Sequence, residues 1–162
     1  MTAETVLGNI AENWPEARSA QSRAVVLAFR YSTLLRVNAE GALAPFELSF
    51  SAFEILAALR ASPPPHALYP SALYDVLLLS SGGVTKLLKG LEDRGLVTRP
   101  ANRGEDRRRR PIALTAKGRD LAEKAMAAVQ AADAARATLT DTEFDRLSRL
   151  LEKALKGLEG AA

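Results

Sequence analysis

Hydrophobic positions recur at helical spacing along most of the chain. Val6, Leu7, Ile10 and Trp14 mark a short first helix that stops at Pro15. A longer helix is expected from Glu16 to about Glu40, carrying Val25, Val26, Phe29, Leu34 and Val37, with Gly41 and Pro45 breaking it. Ser49 to Ala61 reads as another, with Phe53, Leu56 and Leu59 inward and Ser51 with Glu54 as its capping box. Three consecutive prolines from Pro63 end it, since proline lacks the donor a helix interior needs.

The middle of the chain changes rhythm. Pro70 suits the first turn of a helix to about Leu77. Leu78-Leu79 leaves room for only a tight connection. Ser80 is the expected N-cap of a helix from Ser81 to Arg94, with Gly95 at the C′ position. Leu96 to Arg99 and Arg110 to Leu114 are short and β-prone, and Pro100, Asn102 and Gly104 supply turn chemistry between them. Thr115 then caps a long helix in which nine of the sixteen residues from Ala122 to Ala137 are alanine, a composition that lets helices approach closely. Thr140 and Glu143 form a capping box, with Leu139 and Phe144 as a hydrophobic staple. Phe144, Leu147, Leu151, Leu155 and Leu158 make one stripe on the last helix.

The expected fold is therefore mainly α with a small β-hairpin, in the order helix, helix, tight turn, helix, hairpin, helix, helix. The segment from Ser71 to Arg94 fits a helix-turn-helix. Leu73, Leu77, Leu79, Val84, Leu88 and Leu91 can join its two helices, which leaves Ser81, Gly82, Gly83, Thr85, Lys86 and Lys89 outward. A helix entering the DNA major groove needs small or hydrogen-bonding residues at its N-terminal end. Ser80 and the residues to Gly83 meet that need, and the N–H groups at a helix start suit a phosphate. A plain helical hairpin with glycines at a tight contact would account for the same residues. Leu78 stands where many such turns carry glycine.

Charge sharpens this picture through its placement. The net charge is only +3. Arg99, Arg103, Arg107, Arg108, Arg109 and Arg110, set against Glu105 and Asp106, give one twelve-residue stretch a local +4, and the remainder is slightly acidic. That concentration points to a polyanion. A basic hairpin after a recognition helix can lie along the minor groove, where arginine neutralises phosphates and reads groove width.

The chemistry that is missing narrows the classes. Hydrophobic residues at 48% and charged residues at 25% describe a folded domain, not a disordered one. There is no cysteine, which excludes disulfides, thiolate catalysis and thiol redox sensing. His66, the sole histidine, follows the prolines and reads as an ordinary loop residue, so neither a metal nor another cofactor is expected. No nucleophile elbow or glycine-rich phosphate loop argues for an enzyme. The longest apolar run, Ala24 to Phe29, is far short of a membrane span, and no signal peptide is visible, so a cytoplasmic protein without membrane contact is expected.

Three stretches carry a resemblance to a known family: Val84 to Leu88, Leu91 to Val97, and Asp106 to Gly118. They resemble the multiple antibiotic resistance regulators, the MarR family of winged helix-turn-helix transcription regulators. In the last stretch Asp106 and Arg108 take the places of an Asp-x-Arg that leads into Leu114-Thr115 and Gly118. The resemblance implies that Asp106 braces the wing by pairing with arginine, with Arg108 as partner, and that Arg103, Arg107, Arg108, Arg109 and Arg110 touch DNA. It covers about Glu16 to Leu158. It implies an obligate homodimer on double-stranded DNA, a pseudo-palindromic operator, and release, as from a repressor, by a small aromatic or phenolic acid. The corresponding division is residues 1–48 for N-terminal dimerisation helices, 49–114 for the DNA-binding domain and 115–162 for C-terminal dimerisation helices.

Candidate effector residues are Trp14, Arg18, Arg23, Phe29, Phe53 and Glu54. Each also fits a plainer role: Trp14, Phe29 and Phe53 as core, Arg18 and Arg23 as solvated helix charges. Trp14 and the run from Leu79 to Gly83 are similar to the urate-responsive subgroup, but Glu54 and Leu87 stand where that subgroup has aspartate and arginine. The competing reading is a winged helix that packages DNA without sequence preference, or docks on protein, with no effector.

Overall fold

A computed structural model describes residues 1–77, 81–100 and 110–160, with backbone alone for 75–77 and 81. Helix α1 (Ala3–Asn13) starts at Thr2, whose side chain accepts from the Thr5 amide. Pro15–Ala17 is a single 3-10 turn. Helix α2 (Ala20–Leu43) therefore begins later than its hydrophobic pattern implied, because extended Ser19 caps it through the Ser22 amide at 3.0 Å. The helix also runs through Gly41. A mid-helix glycine costs about 1 kcal/mol, whereas full burial of one leucine returns about 1.5–3 kcal/mol. Leu43 is fully buried two residues beyond that glycine, and the core contact prevails.

Helix α3 (Phe50–Ala61) is capped by Ser49, which accepts from the Ala52 amide at 3.2 Å. This corrects the expected Ser51–Glu54 capping box. Buried Leu48, whose amide returns to the Leu43 carbonyl, fixes the turn two residues earlier. Phe53, Ile55, Leu56 and Leu59 make α3 the centre of the core.

The remaining elements are β1 (Ala67–Leu68), α4 (Pro70–Leu77), α5 (Ser81–Asp93), β2 (Val97–Thr98), β3 (Ile112–Leu114), α6 (Ala116–Ala134) and α7 (Asp141–Glu159). The sheet is three-stranded and antiparallel in the order β1-β3-β2, not the two-stranded hairpin expected. Val97 pairs with Leu114, and Ala67 with Ala113. A two-residue strand is too short to show alternation, so β1 has no signature in the sequence.

Only part of the alanine-rich run of α6 packs closely, and Ala127, Ala131 and Ala134 face solvent. Ala122, Ala125 and Val129 are buried, and Asn38 of α2 donates to Asp133 of α6 at 2.7 Å. Helix α7 carries the expected capping box but buries no residue at all. Leu151, Leu155 and Leu158 are exposed on it, as are Phe29, Leu34 and Val37 on α2. Among the described residues no single helix is long and apolar enough to cross a membrane.

Candidate nucleic-acid interface

Helix α5 divides cleanly by burial. Val84, Leu88 and Leu91 are inaccessible, at 0, 1 and 2% exposure, and together with Leu73 of α4 they hold the helix to the core. The other face leaves Gly82, Gly83, Thr85, Lys86 and Lys89 in solvent. Its first turn contains no acidic residue. The exposed end thus combines small residues, a hydroxyl and the positive end of the helix dipole, with two lysines further along. Ser81 opens the helix. Ser80, the expected cap, lies outside the described residues.

The helix ends as its sequence requires. Gly95 adopts φ of +67°, the left-handed conformation that glycine takes without a Cβ penalty. The chain then enters β2 and returns as β3 into Thr115. That threonine has three roles at one point. Its hydroxyl accepts from the Gly118 amide to cap α6, and donates to the carbonyls of Gly95, at 2.8 Å, and Leu96. Its amide donates to Leu96 as well. The base of the hairpin is thereby tied to the end of α5 and the start of α6.

A second tie was not foreseen. Arg99 of the hairpin donates to Glu92 of α5 at 2.6 Å, and both side chains are largely buried. Arg110 lines the same cleft, of about 390 Å³, with Glu92, Val97, Thr98 and Arg99. Arg99 and Arg110 belong to the basic run, so part of that run serves the base of the wing. The only sequence signal for the pair is opposite charge seven residues apart, which a turn of unknown geometry does not bring together. Arg103, Asp106, Arg107, Arg108 and Arg109 lie outside the described residues.

The expected effector residues do not form one cluster. Arg18 and Arg23 line a cleft of about 320 Å³ between α1 and the start of α2, over Leu7 and Ile10. Trp14 and Phe29 are exposed, at 64% and 72%, which corrects their reading as core residues. Phe53 is in the core, its ring 6.5 Å from that of Phe50. Glu54 is half-buried on α3, and burial pushes its carboxyl above the usual value, opposed by the charge of Arg36. Arg36 itself lies 5.0 Å over the Phe50 ring and pairs with Glu40 at 3.2 Å. His66 turns the chain with φ of +58°, and its Nδ1 is 2.7 Å from the Ser62 carbonyl, a loop role as read.

An exposed recognition-type helix followed by a short antiparallel sheet, set in a helical scaffold, defines a winged helix-turn-helix protein. The sequence pattern described as the MarR family matches residues 46–109. The HTH-type transcriptional repressor Rv2887 of Mycobacterium tuberculosis is 37% identical over 128 residues, 78% of this chain and 89% of that protein. The crystal structure of Rv2887 with p-aminosalicylic acid superposes with a TM-score of 0.65 at 36% identity, covering 79% of this chain and 95% of that one. The apo form of wild-type MarR from E. coli gives 0.64 at 25% identity, covering 80% and 94%. The chain belongs to the MarR family of transcriptional regulators, and its relative Rv2887 is a repressor, not an enzyme.

Proposed function

We propose that the chain is a repressor that binds a pseudo-palindromic operator as a homodimer and leaves it when a small aromatic acid binds. The observation that carries this reading is the division of α5, with its apolar face sealed and Gly82, Gly83, Thr85, Lys86 and Lys89 presented together. In this reading Ser80 to Lys89 meet base edges and the nearest phosphates, and Arg103 and Arg107 to Arg110 reach the minor groove and its backbone. Asp106 and Arg108 stabilise the wing. Residues 49–114 form the DNA-binding unit, flanked by dimerisation helices in 1–48 and 115–162. The solvent-facing apolar side chains of α2 and α7 support that partition, since a partner copy would cover them.

The effector class follows from relatives of known structure. Rv2887 has been crystallised with p-aminosalicylic acid and with salicylic acid. In this chain the cleft holding Arg18 and Arg23 over Leu7 and Ile10 offers guanidinium groups to a carboxylate and an apolar floor to a ring. It is the part of the expected effector set that comes together.

The test is a selection from random duplexes, repeated with salicylate and related aromatic acids. Enrichment of an inverted repeat with half-sites about one helical turn apart is expected. Arg107→Ala with Arg109→Ala should weaken binding on every sequence and flatten the salt dependence, by about 0.9 in slope for each phosphate that is no longer neutralised. Equal affinity for selected and random DNA would remove the operator reading in favour of sequence-independent packaging.

A further inference from the structure

The turn after α2, the end of α5 and the start of α6 are tied together through two cations in series. The last carbonyls of a helix lack intrahelical partners and carry the negative end of its dipole, so they favour a cationic donor. Beyond α2, the 3-10 turn Ala44–Phe46 leads into Glu47, whose left-handed φ of +53° turns the chain toward α3. The Arg94 guanidinium reaches across from the end of α5. Its Nη1 donates to the Glu47 carbonyl at 2.7 Å and its Nη2 to the Phe46 carbonyl at 3.0 Å. The Arg94 carbonyl in turn accepts from Lys117 Nζ at 2.9 Å, in the first turn of α6. One residue at the end of α5 is thus bonded both to the turn that joins α2 to α3 and to the first turn of α6.

These bonds differ in kind from the rest of the α5 seat. Val84, Leu88 and Leu91 hold α5 by apolar contact, which is strong but has little directional preference. The planar fork of Arg94 against two carbonyls fixes an angle. The other end of α5, with Gly82 and Gly83, lies about 18 Å away along the axis at 1.5 Å per residue. A tilt of about 10° at the joint would therefore move that end by about 3 Å, close to the spacing of one base step.

We infer that Arg94 is a positioning residue for operator recognition: it sets the angle of α5 to the scaffold, and so the half-site spacing that a dimer accepts. The inference rests on the operator-binding function proposed above. Each base pair added between half-sites turns one against the other by about 35° and shifts it by about 3.4 Å. A rigid joint cannot follow that change, and a loosened one can.

The test uses the full chain, the selected operator, and duplexes with one base pair added or removed between half-sites. Arg94→Ala is expected to bind the selected spacing about tenfold more weakly, with a smaller drop on the altered spacings and an unchanged salt slope. Arg94→Lys, which keeps the charge but not the fork, should flatten the spacing profile partway. Lys117→Ala removes the second link and serves where Arg94→Ala does not fold. A spacing profile of wild-type shape in the folded variants overturns the inference, and so does a salt slope reduced by about one, which marks a direct phosphate contact. A wild-type protein with no preferred spacing instead sinks the operator reading. The joint is also measured without DNA, from the distance between spin labels at positions 30 and 89 of one protomer diluted into unlabelled chain. Arg94→Ala is expected to broaden that distribution, and an unchanged one overturns the inference whatever the DNA result.

Discussion

Gly118 lies against the backbone carbonyl of Leu96 with no room between them for a side chain. The contact seats the first turn of α6 on the turn that joins α5 to β2. Thr115 closes the same junction by hydrogen bonds, so the glycine and the threonine act on one point from two sides.

Gly118→Ala must displace main chain and not a flexible side-chain end. Overpacking of that kind costs about 1–3 kcal/mol. A melting temperature lower by several degrees is expected, read by circular dichroism. Gly82 offers the contrast, since nothing lies within 4 Å of a Cβ added there. Gly82→Ala should raise stability by up to about 1 kcal/mol through helix propensity. If the backbone of α5 meets DNA there, the same change weakens operator binding, and unaltered affinity would remove that close approach.

The Glu92–Arg99 pair predicts a larger effect than a surface ion pair would. Its side chains are only 16 and 14% exposed, and removing one partner takes a charged hydrogen bond from the other in a site largely shielded from water. Arg99→Ala should destabilise the fold by about 2–3 kcal/mol in urea melts. Arg36→Ala, at an exposed pair with Glu40, should cost under about 1 kcal/mol for the ion pair itself. Comparable destabilisation by the two would contradict the burial argument.

Two carboxylates shift in opposite directions and give stability a defined pH dependence. The Thr140 amide and hydroxyl donate to Glu143 and hold its carboxyl below the usual value near 4.5. Its contribution is present above that value and is lost as pH falls through the depressed one. Burial raises Glu54, so its charged form is disfavoured in the folded state, and stability declines as pH climbs from 4.5 through the raised value. Glu54→Gln should abolish that decline and leave the acid limb of the profile, where Glu143→Gln acts. Melts at a series of pH values distinguish the two limbs.

Leu155 is half-exposed on α7 in a stripe with Leu151 and Leu158. If that stripe joins two copies, Leu155→Asp places a charge in an apolar contact and should convert dimer to monomer in sedimentation velocity runs. An assembly that survives this change locates the dimer contact elsewhere.

Features that depend on residues a few positions apart were legible in the sequence. Gly95 after α5, Thr115 before α6 and the Thr140–Glu143 box are local chemistry, and each stands where its pattern put it. The face of α5 was legible for the same reason, since period 3.6 separates Val84, Leu88 and Leu91 from their neighbours. What escaped depends on distant partners. The end of α2 was decided by burial of Leu43, and the start of α3 by burial of Leu48. Strand β1 exists only because β3 passes beside it. Arg94 bonds to carbonyls 47 and 48 residues away, and a backbone acceptor leaves no mark on the sequence. The effector residues were the least legible: residue type alone suggests them, and the fold scatters them over α2, α3 and the turn between α1 and α2.

The knot of bonds among Gly95, Leu96 and Thr115 closes the hairpin where it leaves the body of the protein. The segment between Arg99 and Pro111 is therefore an insert whose two ends are already joined. Because the junction is already closed, each doubling of the enclosed length adds only about 0.6 kcal/mol of closure entropy, and the helices beneath stay anchored.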